Sequence, residues 1–125
     1  MSTLNHKVPQ TQRTIDASDR ALGRVATEVA DALRGKDSPQ FERHHISGVP
    51  VHVINCSKVR ISSYRKLKDS TYVRYSGYPG GKKEETLEKL VARRGYTEAV
   101  KRAVYGMLPN NKLRSRLMNR LSLSE

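Results

Sequence analysis

The chain has 125 residues, with 24 Lys and Arg against 12 Asp and Glu, and a net charge of +12. Its length suits one domain, and its 36% of hydrophobic residues support only a modest core. No apolar stretch approaches the roughly 20 residues that span a bilayer, and Met1–Gln12 lacks the apolar centre of a signal peptide. A single cysteine excludes an intrachain disulfide, so we expect a cytoplasmic protein.

The positive charge is concentrated in the second half of the chain. Residues 1–57 carry seven basic and six acidic side chains, whereas residues 58–125 carry 17 basic and six acidic ones. A basic surface confined to one part of a small protein is typical of a polyanion binder. Charge alone leaves RNA, DNA and an anionic membrane open, and it favours nucleic acid.

The first elements are predicted to be a strand, a helix and a second strand. Met1–Gln12 has no periodicity and is predicted to be a flexible arm before a single domain over residues 13–125. Arg13–Asp16 is a candidate strand. Val51–Asn55 is another, and it is apolar nearly throughout, so we expect burial on both faces. A helix between them would complete a βαβ unit, which implies a parallel pair of strands.

Apolar residues at helical spacing predict that helix. They are Leu22, Val25, Ala26, Val29, Ala30 and Leu33. Ser18 or Asp19 is expected to cap its N-terminus, because short polar side chains bind the free N–H groups there. Gly35 stands where a left-handed residue would end the helix.

Shorter patterns predict the remaining elements. Lys58–Ser62 alternates strictly and is a third candidate strand. Glu84–Val91 and Thr97–Met107 are predicted helices, and the second is ended by Pro109. Lys112–Leu121 is predicted to be a basic helix with its leucines directed inward.

Residues 63–83 interleave cations with tyrosines and end in a glycine-rich turn. The residues predicted to contact RNA here are Arg65, Lys66, Lys68, Tyr72, Arg74, Tyr75, Gly77, Tyr78, Gly80, Gly81, Lys82 and Lys83. Cations neutralise phosphates, tyrosine rings stack on unpaired bases, and glycines let the backbone approach a phosphate closely. The alternative is a solvated, twisted loop with its tyrosines in ordinary packing, but the alternation favours RNA.

Two further sets of cations are candidates for phosphate contacts. No acidic residue occurs between Lys101 and Arg120, whereas solvated helix faces usually mix signs. The predicted contacts there are Arg102, Lys112, Arg114, Arg116 and Arg120. Arg20 and Arg24 bracket the start of the first helix, where the backbone favours an anion. A plain capped turn with exposed arginines is an equal alternative at that place.

No catalytic or metal site is predicted. The turn at residues 16–23 has neither the glycines of a dinucleotide-binding loop nor the lysine of a P-loop, which argues against a nucleotide-dependent enzyme. Cys56 follows an apolar strand and is expected to pack as a small hydrophobic residue. Around His44, His45 and His52, no Cys, Asp or Glu repeats at the spacing of metal ligands.

Several sequence motifs occur in a fixed order. They are Asp16–Ala26 followed by Leu33–Lys36, then Val53–Val59, Tyr72–Gly81 and Ala103–Asn111. Together they resemble the motifs of the large-subunit ribosomal protein thirteen family, in its bacterial form. The chain departs from the family pattern at Tyr75, where a His is common, and at Arg114, where a Gly is usual.

The resemblance implies a three-layer α/β/α fold with a small, mostly parallel sheet, consistent with the βαβ unit. It implies direct binding to large-subunit rRNA early in assembly, beside neighbouring large-subunit ribosomal proteins, with no cofactor, small-molecule substrate or catalysis. The RNA-facing loop of the family corresponds to residues 65–81, which adds Ser76 to the predicted rRNA contacts. Lys36 joins them through its motif. The alternative is a free-standing regulator that binds an mRNA or another structured RNA.

Overall fold

The architecture is α/β, with a small parallel sheet and a separate antiparallel pair of strands. The computed structural model describes residues 12–36, 39, 41–44, 49–61, 68 and 71–125. The strands are β1 (Arg13–Asp16), β2 (Val51–Ile54), β3 (Thr71–Tyr75), β4 (Lys82–Thr86) and β5 (Leu121–Leu123). The helices are α1 (Leu22–Arg34), α2 (Leu87–Arg94), α3 (Tyr96–Met107) and α4 (Leu113–Met118). The predicted arm, apart from Gln12, lies outside the described residues and stays a prediction.

The parallel sheet has the strand order β1-β2-β5, with β2 in the centre. Because β1 and β2 are parallel and α1 joins them, the predicted βαβ unit is confirmed. In β2, Val51 and Val53 are fully buried, whereas His52 and Ile54 are partly exposed. The predicted burial of this strand is therefore complete on one face only.

α1 packs its apolar stripe against the sheet and against α3. Every predicted member of the stripe except Leu22 is buried. Gly35 ends the helix at a φ of 75°, and its N–H donates to the carbonyl of Asp31 at 3.0 Å. The predicted end of the helix is confirmed, since a left-handed residue closes the last turn.

The predicted N-cap of α1, Ser18 or Asp19, is wrong. Ala21 occupies the cap position with extended backbone and no side-chain hydrogen bond. The N–H of Ser18 binds the carboxylate of Asp16 at 2.9 Å, which closes a separate turn before the helix. The first helical N–H group donates instead to the backbone carbonyl of Arg60 at 3.2 Å. A neighbouring chain segment thus replaces the capping side chain.

The third predicted strand, Lys58–Ser62, is not formed by the residues described there. Asn55 adopts a left-handed φ of 57° and turns the chain into a 3-10 helix over Cys56–Lys58. Only Arg60 then pairs as a strand would, in an isolated bridge with Ala21. The alternation reflects packing, because Val59 is buried in the core.

β3 and β4 form an antiparallel hairpin that the sequence patterns did not predict. The helix predicted over Glu84–Val91 begins later, at Leu87, because the residues before it belong to β4. Thr86 caps α2 by accepting a hydrogen bond from the N–H of Lys89 at 3.3 Å. A β-branched residue with a hydroxyl suits both the end of a strand and a helix N-cap.

The basic helix predicted over Lys112–Leu121 is shorter than expected. α4 ends at Met118, and Leu117 is its buried residue. Leu121 begins β5, where it lies opposite Val51. Pairing with the central strand gives β5 backbone hydrogen bonds, and it lets Leu121 and Leu123 pack against the buried core. No helix in the described ranges is long and apolar enough to cross a membrane.

Two clusters of buried residues hold these elements together. The larger one joins the parallel sheet with α1, α3 and α4. The smaller one consists of Leu87, Leu90 and Ala99, with Ile61, Tyr72 and Val91 packed on it. Since Tyr72 lies in β3, the smaller cluster fixes the base of the hairpin against α2 and α3.

Candidate nucleic-acid interface

The hairpin has two chemically different faces. Residues directly opposite each other on antiparallel strands share a face, and alternate residues change face. The register pairs Tyr72 with Glu85, Val73 with Glu84, Arg74 with Lys83 and Tyr75 with Lys82. The face with Tyr72, Arg74, Lys83 and Glu85 is called the inner face below, because Tyr72 packs on the core. The face with Val73, Tyr75, Lys82 and Glu84 is called the outer face.

The inner face places two cations side by side. Arg74 and Lys83 are exposed and directly opposite each other. They line an open groove of about 320 Å³ with three more cations and two carboxylates. Both carboxylates are already paired, Glu85 with Arg93 of the same groove and Glu84 with Lys82 at 2.9 Å. Like charges in cross-strand positions repel, so this groove favours an anion.

Glu85 and Arg93, which both line the groove, form an ion pair through two hydrogen bonds. Arg93 donates from Nε at 2.9 Å and from Nη2 at 2.7 Å to the two oxygens of Glu85. Hydrogen bonding from Arg93 lowers the pKa of the Glu85 carboxyl below its usual value and raises the pKa of Arg93. The pair connects β4 to α2. Two parallel hydrogen bonds between an arginine and a carboxylate fix the relative orientation of the two side chains, in addition to the attraction of their charges.

Replacing Glu85 with Gln should weaken this tie at neutral pH and much less in acid. The folded protein lowers the pKa of Glu85, so its contribution is present above the ordinary value of 4.5 and is lost as the pH falls through the folded value. The measurement is urea unfolding of both proteins at pH 7 and pH 3. Glu84→Gln is the matched control, because the partner of Glu84 among the described residues is Lys82, which is exposed in the same strand. An equal difference from wild type at both pH values would contradict this role of Glu85.

Arg102 is partly exposed and is held in place by two partners. Its Nε lies 3.3 Å from a carboxylate oxygen of Glu98, and its guanidinium carbon lies 4.7 Å from the centroid of the Tyr72 ring. Burial raises the pKa of the Tyr72 hydroxyl, with a smaller opposing effect of Arg102. Arg102 therefore connects α3 to β3, and we interpret it as positioning the hairpin more than as contacting phosphate.

The tip of the hairpin exposes two tyrosine rings. Tyr75 is 67% exposed and Tyr78 is 75% exposed. Gly77 and Gly80 have φ values of 88° and 74°, so both turn positions need residues that tolerate left-handed backbone. Gly81 is constrained differently, since a side chain there would collide with the side chain of Ser76. The tip therefore exposes flat rings beside glycines, and the predicted contacts of these residues with RNA stay a prediction.

The arginines at the start of α1 differ in their partners. Arg20 forms an ion pair with Glu28 and donates to the carbonyl of Asp16 at 3.5 Å. Arg24 is exposed and lines a shallow groove of about 700 Å³ with Met107 of α3. The groove contains both signs of charge, so the local anion preference is weaker than in the hairpin groove.

The basic residues after α3 include an arginine that stacks on a tyrosine ring, which residue spacing could not show. Arg114 is predicted to point outward, and it is partly exposed, with its guanidinium carbon 3.8 Å from the ring centroid of Tyr105. Lys112 and Arg116 are exposed, and Arg120 is partly exposed. α4 thus presents its cations to solvent while Leu117 faces the core.

The histidines and the cysteine have structural surroundings. Cys56 is buried, and burial raises the pKa of its thiol, which agrees with its predicted packing role. His52 lies 3.3 Å from the hydroxyl of Ser124, and His44 lies 3.2 Å from Glu42 at the surface. Within the described ranges, no three His, Cys, Asp or Glu residues are grouped as metal ligands would be.

Comparison with known proteins identifies the family. The sequence profile described as ribosomal protein L13 matches residues 10–125. This chain belongs to the ribosomal protein L13 family. The large ribosomal subunit protein uL13 of Pelotomaculum thermopropionicum is 46% identical over 109 residues, which are 87% of this chain and 74% of that protein. The uL13 protein of Synechocystis is 47% identical over 109 residues, 87% and 71% of the two chains. The uL13 protein of Ralstonia pickettii is 42% identical over 118 residues, which are 94% of this chain and 82% of that protein.

Membership in the L13 family confirms the resemblance of the motifs and the assignment to a ribosomal protein with no enzymatic role. The structure brings the predicted contacts Arg74 and Lys83 into one groove with Arg102, whereas Lys82 lies on the outer face. It brings Arg20 and Arg24 into a second groove, and leaves Lys36 exposed beyond the end of α1. Lys68 is exposed, whereas the predicted contacts Arg65 and Lys66 lie outside the described residues.

The sequence patterns missed two contributors to this L13 surface, Glu85 and Tyr105. Glu85 looks like an ordinary acid in a helix until β4 places it opposite Tyr72. Tyr105 lies off the apolar stripe of α3, four residues after Lys101, and an exposed aromatic ring beside a cation was the available signal.

Proposed function

We propose that this chain is a structural constituent of the large ribosomal subunit that binds large-subunit rRNA directly and supports an early step of assembly. The observation that carries the proposal is the cross-strand pair Arg74 and Lys83, exposed in a groove whose carboxylates are already paired. The printed name of its relatives, large ribosomal subunit protein, supports the same assignment. Its proposed location is the ribosome.

The proposed mechanism is an electrostatic clamp on a nearly neutral scaffold. Residues 1–57, which supply β1, α1 and β2, have a net charge of +1, whereas residues 58–125 have +11. The hairpin and α4 would each neutralise phosphates and hold separate rRNA segments in a fixed relation, because phosphate contacts set register without reading sequence. Neighbouring large-subunit proteins are the other partners that we propose.

The test is sedimentation of cell lysate through sucrose gradients, first in low salt and then after a high-salt wash. We expect the chain to remain with the large subunit in both conditions, because many simultaneous contacts make dissociation slow. Its loss from large subunits at modest salt, or its absence from them, would instead support a regulator of another structured RNA.

A further inference from the structure

Tyr105 and Arg114 form a stacked pair at the surface. The guanidinium carbon of Arg114, in α4, lies 3.8 Å from the centroid of the Tyr105 ring near the end of α3. That distance places the cation directly against one face of the ring. Tyr105 is nevertheless 47% exposed, so the stack does not bury the ring.

The surroundings of this pair are open and positively charged. Lys101 is exposed and lies one helical turn before Tyr105, on the same side of α3. Apart from its two chain neighbours and the backbone of its own helix, no atom of the described chain lies within 4 Å of the place where a side chain at Gly106 would begin. No acidic residue occurs in the sequence from Lys101 to Arg120, so a partner with negative charge suits this surface.

We propose that Tyr105 and Arg114 form a stacking platform for one unpaired base of the bound RNA, with Lys101 neutralising a phosphate beside it. Tyrosine rings and guanidinium planes both stack on bases, and such stacking tolerates any base because every base has a π-face. A protein partner fits less well, since Met107 is the one large apolar neighbour exposed among the described residues of α3 besides Tyr105. This inference rests on the proposed rRNA binding.

The experiment compares three variants of the full chain in binding to a large-subunit rRNA transcript over a range of salt concentrations. Tyr105→Leu should weaken binding by about 5- to 150-fold, the range of one lost base stack, with an unchanged salt slope because no charge is removed. Tyr105→Phe should bind like wild type, since the ring remains. Arg114→Lys should also weaken binding, because it keeps the charge and loses the flat guanidinium.

The outcomes separate this inference from the proposed function. If wild type shows no preference for large-subunit rRNA over an unrelated transcript, the proposed function itself fails. If wild type binds selectively and Tyr105→Leu binds equally well, the pair only connects α3 to α4, and the platform is overturned. Normal affinity with reduced incorporation into subunits would assign the surface to a protein neighbour, which also overturns it. Circular dichroism measures whether each variant is folded. If Tyr105→Leu is unfolded, the rRNA affinity of Arg114→Lys alone decides whether the platform exists.

Discussion

Replacing Arg74 and Lys83 together with Ala should reduce the salt slope of rRNA binding by about two units and the affinity at 0.1 M salt by on the order of 50-fold. Each cation that contacts a phosphate releases a counterion on binding, so two lost contacts change both quantities. The two side chains stand opposite each other on the inner face of the hairpin. Filter binding to a large-subunit rRNA transcript between 50 and 300 mM salt would measure both effects.

Lys82→Ala is the matched comparison for this double variant. Lys82 lies in the same hairpin, one residue away, but on the outer face and paired with Glu84 at 2.9 Å. We expect a change of less than one unit in its salt slope. A decrease for Lys82→Ala as large as that for the double variant would show that the outer face, and not the inner one, meets the phosphates.

The double variant should lose affinity without losing stability. Like charges directly opposite each other on neighbouring strands are unfavourable to the hairpin, so their removal should leave the melting temperature unchanged or slightly higher. Removing a pair that stabilised the fold would instead lower the melting temperature. The combination of lower affinity and equal or higher stability is therefore a specific signature of a pair retained for an external anion.

The sequence predicted the elements that have one apolar face. The stripe of α1 buries its predicted residues apart from Leu22, and β2 buries one of its two faces, because periodic burial leaves a periodic pattern. The hairpin has no such pattern. β3 carries Val73 and Tyr75 on the outer face, where both are exposed, and β4 carries charges on both faces. Its strands depend on pairing with each other and on the glycines of the turn, which a window along the sequence does not reveal.

Misleading spacing explains the error at the C-terminal end. Leu113, Leu117 and Leu121 recur every four residues, as in a helix, but Leu121 pairs with the central strand of the sheet. Residue types at the candidate site were similarly predictable, while their roles were not. Only the three-dimensional register distinguishes an exposed cation such as Arg74 from Arg102, which is held between Glu98 and Tyr72.

Leu90→Ala should reduce stability strongly, with a functional consequence as well. Leu90 is fully buried in the smaller cluster, and truncating a buried leucine to Ala typically costs about 2–5 kcal/mol of unfolding free energy. The cluster supports Tyr72 at the base of the hairpin. We therefore expect the rRNA affinity of the folded variant to fall too, because the Arg74–Lys83 groove loses its fixed position. Urea unfolding and rRNA binding at a temperature where the variant is folded would measure the two effects.

Leu33→Ala separates the functional effect from the general loss of stability. Leu33 is also a fully buried leucine, but it lies in the larger cluster on α1, which is distinct from the one beneath the hairpin. We expect a comparable loss of unfolding free energy, with nearly normal rRNA affinity for the molecules that remain folded. Equal losses of affinity in Leu90→Ala and Leu33→Ala would mean that binding depends on overall stability alone. A loss confined to Leu90→Ala would show that the smaller cluster positions the hairpin for rRNA.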